Sequence, residues 1–263
     1  MINIMIDTCP GFDQWRDAAR RCILNDIPPD QILWKTPDQA QDSLFTAADE
    51  LPPDTPDEFS VSKDFIDLAE TVMCHSDNAR FDILYRLLWR IRHDNKNLLK
   101  IKTDSDVMAA TKMVKAVRRD AYKITAFLRF REIELDGREH YIAWYEPDHY
   151  ILQRAIGFFK TRFRNMNWSI LTPYLSAHWN GQSVYFDSTP DKSLLPEQDD
   201  FEDYWLTYYA SIFNPARPKK KAMLTQMPKK YWKNMPETRL IPDLLKTAEA
   251  RTKEMIKKSG GGV

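Results

Sequence analysis

The residues of this sequence that are best suited to chemistry cluster near position 146. Glu146 and His149 are three positions apart, where a predicted strand ends and a predicted helix begins. A carboxylate beside an imidazole is a pair that general acid–base catalysis uses. The other candidates for a catalytic role are Asp120, His178 and Tyr208. These five side chains are the basis of the hypothesis that the protein is an enzyme that works by acid–base chemistry.

Structural interpretations compete with this hypothesis, and the sequence favours them at two positions. Asp148 is placed to cap the helix that follows it, which leaves His149 as a neutral surface residue. Asp120 adjoins Arg119 and precedes Lys123 by three positions, so that an ion pair with either cation would only organise their helix. The sequence therefore leaves open whether the protein is an enzyme.

A basic and aromatic stretch over residues 204–236 is the clearest functional feature. Its sequence, YWLTYYASIFNPARPKKKAMLTQMPKKYWKNMP, contains seven Lys or Arg residues, seven aromatic residues and no acidic residue. Lys and Arg neutralise phosphates and release counterions, and aromatic rings stack on unpaired bases. The stretch predicts a nucleic-acid-binding surface. The alternative is a solvated lysine face with the aromatic rings in the core.

Further cations extend this predicted surface. A long helix over residues 104–130 shows an apolar stripe and, at i, i+3 and i+4 spacing, a basic one. A later predicted helix over residues 149–166 is also decorated with Arg and Lys. The predicted nucleic-acid-binding residues are Arg118, Arg119, Lys123, Arg162, Arg164, Arg217, Lys219, Lys220, Lys221, Lys229, Lys230, Tyr231, Trp232 and Lys233.

Sequence motifs for metals and cofactors are missing. The five histidines show no HxxxH or HExxH spacing, and there is no P-loop, GxGxxG or GxSxG motif. We therefore predict no metal site and no cofactor. The three cysteines form no CxxC pair, which is typical of a reducing cytosol. Without a signal peptide or a run of roughly 20 apolar residues, the chain is predicted to be cytoplasmic and to make no membrane contact.

Charge is unevenly distributed, although the net charge is zero. Residues 1–70 contain 5 basic and 15 acidic side chains, whereas the remainder contains 33 and 23. This asymmetry suggests one acidic and one basic face. Residues 36–58 are acidic and proline-rich, which is typical of a linker. We predict an acidic βαβ-like segment with its linker over residues 1–60, a main domain over 61–258 and a flexible tail over 259–263.

The hydrophobic periodicity predicts an α+β fold that is mainly helical. Residues 130–135 and 139–145 alternate around Asp136-Gly137, a preferred hairpin turn. Three further short strands are predicted over residues 168–171, 177–179 and 183–186. Together these segments predict a small antiparallel sheet of about five strands, covered by helices on one face.

Five blocks of sequence carry a family resemblance. They are FDQWRDAARRCI with IPPDQILW, AVRRDAYKITAFLRFRE, WYEPDHYI, FFKTRFRNMNWSILTP with AHWNG, and YYASIFNPARPKKKAMLTQMPKKYWKNMPE. These blocks resemble an uncharacterised bacterial family of DNA repair or DNA metabolism proteins. Its domain occurs beside a DNA-repair radical-SAM protein or fused in front of a uracil-DNA glycosylase domain. The resemblance implies a DNA repair setting and these two kinds of partner, but it supplies no catalytic residues.

The sequence and this resemblance together predict an accessory module that binds DNA and works with a repair enzyme. The predicted ligand is single-stranded or damaged DNA. One alternative is an enzyme that acts on damaged nucleic acid through the acid–base residues named above. The other alternative is a protein-interaction scaffold, in which the acidic N-terminal part docks a basic partner.

Overall fold

The computed structural model describes residues 1–263 except 8, 10, 38–48, 56–58, 136, 189–191, 196–205, 208, 212, 216–219 and 260–263. Its contacts divide the chain into two compact units. The first unit comprises Met1–Lys123 with Pro147–Ala155, and the second comprises Ile124–Glu146 with Ile156–Val263. The domain boundaries that the sequence suggests near residues 60 and 258 stay predictions. Much of the acidic 36–58 segment lies outside the described residues.

Helices and short strands follow one another along the chain. In order they are β1 (Ile2–Met5), α1 (Phe12–Leu24), β2 (Ile32–Lys35), α2 (Lys63–Met73), α3 (Ala79–His93), α4 (Ser105–Phe127), β3 (Arg131–Leu135), β4 (Arg138–Trp144), α5 (Leu152–Arg162), β5 (Trp168–Leu171), β6 (Ser176–Trp179), β7 (Val184–Asp187), α6 (Lys220–Gln226) and α7 (Ile241–Ser259). The predicted α+β fold, mainly helical, is confirmed. No helix in the described ranges is both long and apolar enough to cross a membrane.

The first unit begins with the predicted βαβ arrangement. Strands β1 and β2 pair in parallel from Ile2 opposite Ile32 to Met5 opposite Lys35, with α1 in the connection. Ile4 is buried, and so is Trp15 on the apolar face of α1. This arrangement is what the alternating isoleucines and the helical spacing of α1 predict.

Side-chain caps determine where the next helices begin. The Ser62 hydroxyl accepts a hydrogen bond from the backbone N–H of Phe65 at the start of α2. The Asp104 carboxylate accepts from the N–H groups of Asp106 and Val107 at the start of α4. Both caps satisfy N–H groups that have no partner within the helix. The start of α4 agrees with the long helix that the sequence predicts over residues 104–130.

The second unit contains a five-stranded sheet in the order β3-β4-β5-β6-β7. Three of its four strand pairs are antiparallel, but β4 and β5 run parallel. The prediction of an antiparallel sheet is therefore wrong at this one pair. The physical reason is the connection: a helix-containing crossover between β4 and β5 lets the two strands run in the same direction. Gly137 has a φ value of 70°, which the predicted hairpin turn at this position requires, and Gly181, between β6 and β7, has a φ value of 87°.

Helix α5 is shorter than the predicted helix over residues 149–166. It begins at Leu152, three residues later than predicted, and the capping role of Asp148 stays a prediction. In the second unit, the Phe159 ring of α5 lies 6.1 Å from that of Phe130 and 6.3 Å from that of Trp168 on the sheet. This aromatic packing covers one face of the sheet and leaves the other face for different contacts.

Candidate nucleic-acid interface

Exposed lysines occupy the described part of the predicted basic stretch. Lys220 and Lys221 belong to α6, whereas Lys229 and Lys230 begin a 3-10 helix, Lys229–Asn234, which follows Pro228. All four side chains are exposed. Exposure is required of a lysine that contacts a phosphate. Three of the predicted site residues, Tyr208, Arg217 and Lys219, lie outside the described residues.

The two aromatic residues of the 3-10 helix differ in their surroundings. Tyr231 is 3% exposed, and its ring stacks on Tyr145 at 5.3 Å with an interplanar angle of 11°. Such a ring has no face open to a base, so its predicted role in base stacking is corrected to one in the core. Trp232 is half-buried, donates its Nε1–H to the Met227 carbonyl and lies 5.9 Å from Lys229 Nζ. Base stacking by Trp232 stays a prediction.

Glu146 draws two lysines and a tryptophan together at the end of β4. Its Oε2 atom lies 2.5 Å from Lys233 Nζ, and its Oε1 atom lies 3.7 Å from Lys192 Nζ. Oε1 also accepts a hydrogen bond of 2.7 Å from Trp144 Nε1. The Lys192 ammonium is 5.2 Å from the centre of the Trp144 ring, within cation–π range. Lysines far apart in sequence therefore meet beside an aromatic ring.

These contacts define a basic–aromatic surface in the second unit. It consists of Trp144, Glu146, Lys192, Lys229, Lys230, Trp232 and Lys233. Burial raises the pKa of the Glu146 carboxyl, but the hydrogen bonds from Lys233 and Trp144 and the charges of both lysines together lower that pKa below its ordinary value. Glu146 is thus ionised at neutral pH. Its role in this structure is to orient the two lysines, and the predicted catalytic role stays a prediction.

The remaining predicted cations belong to both units. Arg118 and Arg119 are exposed on α4 in the first unit, and Lys123 is half-buried there. Arg162 and Arg164 are exposed in the second unit, where the Arg162 guanidinium lies 5.5 Å from the Phe163 ring. The predicted basic stripe of α4 is therefore solvent-facing. Phosphate binding by these side chains stays a prediction.

Asp120 and His149 meet in the first unit through the backbone. The buried Asp120 carboxylate, 3% exposed, accepts hydrogen bonds of 2.8 and 2.9 Å from the N–H groups of Asp148 and His149. The contact fixes the segment that precedes α5. On the imidazole of His149, Nδ1 accepts from the Ser76 backbone N–H, which places the ring proton on Nε2. The ring lies 4.2 Å from that of His75. The geometry gives Asp120 a positioning role towards His149.

His178 belongs to a hydrogen-bonded chain that sequence reasoning missed. The Ser169 hydroxyl lies 2.7 Å from His178 Nδ1 and 2.8 Å from His140 Nε2. These residues stand on three neighbouring strands, β4, β5 and β6. The strand register, which pairs Ser169 with His178, is the signal that could have found them. Because the hydroxyl has one hydrogen and two lone pairs, at least one of the two imidazoles donates its N–H to Ser169.

Acidification below pH 6.5 is expected to destabilise the folded protein through this chain. Burial lowers the pKa of His140, and the nearby His178 lowers it further; burial also lowers the pKa of His178, against the opposing effect of Asp187. The unfolded chain, with an ordinary histidine pKa of about 6.5, then binds protons first as the pH falls. The contribution of these two histidines to stability is therefore fully present above pH 6.5. It is lost as the pH falls from there through the lower pKa values that they have in the folded protein.

Urea unfolding midpoints at a series of pH values between about 7.5 and 5 measure this effect. The double variant His140→Gln/His178→Gln removes these two titrating groups and should make the profile shallower, with a remainder from His75, whose pKa burial and the nearby His149 also lower. Carboxylates do not mimic the effect in this window, because their ordinary pKa values lie near 4. An equally steep profile in the double variant would show that other groups cause the loss.

The geometry defines the class of this protein as a mainly helical α+β protein with a basic–aromatic surface beside its sheet. Residues 78–237, more than half of the chain, match the family described as a domain of unknown function, DUF4130, and the chain belongs to that family. Searches of curated proteins and of solved structures find no match. Within the described ranges, no group of three or more His, Cys, Asp or Glu residues could hold a metal ion.

Proposed function

We propose that this protein is a DNA-binding accessory module that works with a DNA repair enzyme. The basic–aromatic surface supports the DNA-binding part of the proposal. The sequence resemblance to DNA repair proteins supports the setting, with a radical-SAM repair protein or a uracil-DNA glycosylase domain as the partner. The single observation that carries the proposal is the meeting of Lys192 and Lys233 at Glu146 beside the Trp144 ring.

The charge and exposure of this surface suit a phosphate backbone. Lys192 and Lys233 remain 57% and 53% exposed while they pair with Glu146. Exposed ion pairs contribute only about 0–1 kcal/mol, so a phosphate can compete for either ammonium group. Lys229 and Lys230 add two exposed cations on the 3-10 helix that carries Lys233. A strand passing over this helix would meet three lysines within six residues.

The double variant Lys229→Ala/Lys230→Ala is expected to bind DNA about tenfold more weakly than the wild type at moderate salt, because it loses two phosphate contacts. The slope of log affinity against log salt concentration should become shallower by about 1.4 to 1.8. Fluorescence anisotropy with a labelled oligonucleotide at several salt concentrations measures both quantities. The matched control is Lys96→Ala/Lys102→Ala, which removes two exposed lysines of the first unit.

The variant Glu146→Gln tests the same surface, and its expected effect on DNA affinity is the opposite of that of the lysine variant. The variant keeps the shape of the side chain and removes the one negative charge of the basic–aromatic surface. DNA binding should therefore tighten, by a factor of about two to five at low salt, where surface electrostatics are least screened. The proposal fails if the wild type binds no DNA, or if both lysine double variants weaken binding equally.

A further inference from the structure

A row of side chains crosses one face of the five-stranded sheet from β4 to its β7 edge. The strand register pairs Ile142 with Ser169, Ser169 with His178, and His178 with Tyr185. Residues that face each other in register project from the same side of a sheet. We call Ile142, Ser169, His178 and Tyr185 the ring row. Its inner end is buried at Ile142 and its outer end is exposed at Tyr185.

The ring row lies on the face opposite the one that packs against α5. Trp168 and Ile170 alternate with Ser169 along β5, so they point to the other side, and both are fully buried. The stack of Phe159 with Trp168 belongs to that packed side. Ser169 and His178, in contrast, meet polar atoms and a tyrosine ring. The ring row therefore projects from the face opposite α5; it is buried at Ile142 and Ser169 and becomes exposed at Tyr185.

The outer end of the ring row presents an open aromatic surface. The Tyr185 ring stacks on that of His178, with centres 4.8 Å apart and an interplanar angle of 17°. Tyr185 is nevertheless 55% exposed. His178 stacks on the tyrosine ring, and more than half of the Tyr185 residue is still open to solvent. A further planar group can therefore reach this residue.

Hydrogen bonds fix the orientation of the ring beneath Tyr185. Ser169 Oγ, on a residue that is 6% exposed, lies 2.7 Å from His178 Nδ1 and also reaches His140 Nε2. The imidazole is therefore held before any ligand arrives. A preorganised ring loses little conformational entropy on binding, which favours affinity for a planar ligand.

The basic–aromatic surface adjoins the ring row on the same face. Trp144 lies two residues beyond Ile142 on β4, so the two side chains share that face, and Lys192 covers the Trp144 ring at 5.2 Å. Asp187, two residues beyond Tyr185 on β7, carries the opposite charge. Phosphates would therefore run towards Lys192 and Lys233, whereas a base can lie over Tyr185.

We infer that the ring row is a stacking site for an unpaired base, so that the protein prefers single-stranded to double-stranded nucleic acid. The bases of a duplex already stack on one another, and only an unpaired base can place its face on Tyr185. This inference rests on the proposed function, because the neighbouring lysines supply the phosphate contacts. It narrows the predicted ligand, single-stranded or damaged DNA, to nucleic acid with an unpaired base, and it adds a site residue outside the basic stretch.

Tyr185→Ala is expected to weaken binding of a labelled single-stranded oligonucleotide by about fivefold or more, the effect of losing one stacked base. Binding of the same oligonucleotide annealed to its complement should not change. Tyr185→Phe keeps the ring and should bind both ligands like the wild type. Phe186→Ala is the matched control, since Phe186 is 43% exposed on the same strand but points to the other face. Anisotropy titrations of the full chain measure all of these affinities.

The outcomes separate this inference from the proposed function. If Tyr185→Ala leaves single-strand binding unchanged while Lys229→Ala/Lys230→Ala weakens it, the stacking site is rejected and the proposed function stands. Equal weakening for single strand and duplex, or by Phe186→Ala as well, also rejects the stacking site. If the wild type binds neither ligand, both proposals fall.

Discussion

Arg129→Ala is expected to lower the free energy of unfolding by about 3–5 kcal/mol, because it leaves a buried carboxylate without its cation. The Arg129 Nε and Nη2 atoms lie 3.2 and 2.6 Å from Glu237 Oε1. The two side chains are only 13% and 2% exposed. Arg129 Nη1 also donates to the carbonyls of Ala126 and Leu128 at the end of α4. The variant therefore loses an ion pair and a C-terminal cap together.

Urea unfolding followed by tryptophan fluorescence measures this loss. The double variant Arg129→Met/Glu237→Leu should recover most of the stability, because apolar replacement of a whole buried pair is often neutral. Arg16→Ala is the control: Arg16 pairs with Asp13 and Asp17 but is 49% exposed, and exposed pairs contribute about 0–1 kcal/mol. A loss in Arg129→Ala no larger than in Arg16→Ala would contradict the buried ion pair.

Asp120→Ala is expected to lower the free energy of unfolding by about 2–3 kcal/mol. The Asp120 carboxylate, 3% exposed, accepts from the N–H groups of Asp148 and His149, and its loss leaves both donors without this acceptor. Leaving a buried backbone N–H without an acceptor costs about 1–3 kcal/mol. Here the donors are only partly buried, so hydrogen bonds to water replace part of what is lost. Asp120→Asn keeps one acceptor oxygen and should cost less.

Asp148→Ala is the matched comparison for this second prediction. The sequence suggests Asp148 as a helix cap, and removal of a cap typically costs about 1 kcal/mol. Its exposed side chain stands four residues before α5 begins, so we expect a smaller loss than in Asp120→Ala. Chemical denaturation of the three variants under one set of conditions checks the order. A larger loss in Asp148→Ala than in Asp120→Ala would contradict the dominant contribution of the buried Asp120 carboxylate.

The same comparison shows where local sequence patterns cease to be informative. Ser62 and Asp104 begin α2 and α4 through local contacts, because each cap bonds an N–H only two or three residues away. Asp120 instead bonds an N–H 28 residues further along the chain. Such a contact cannot be inferred from the spacing of residues within a helix. The sequence alone therefore favours an ion pair between Asp120 and a neighbouring cation.

The same distinction between local and long-range contacts applies to the candidate interface. The sequence alone identifies the lysines of α6 and of the 3-10 helix, because charged side chains of a basic stretch remain in water wherever the stretch folds. It does not distinguish Tyr231 from Trp232, adjacent aromatic residues of which only Tyr231 is almost wholly buried. Which ring enters the core depends on what packs against it, here Tyr145 and Phe127.

What the sequence by itself determined is the local part of this protein: its α+β class, its helix caps, its glycine turns and the positions of its cations. These depend on periodicity, on backbone freedom and on hydrogen bonds between near neighbours. Only the tertiary structure decided that Lys233 meets Glu146, 87 residues away, and that Ser169 joins His140 to His178. Such contacts require the strands to be paired in register and the chain to be packed, which no short window of sequence specifies.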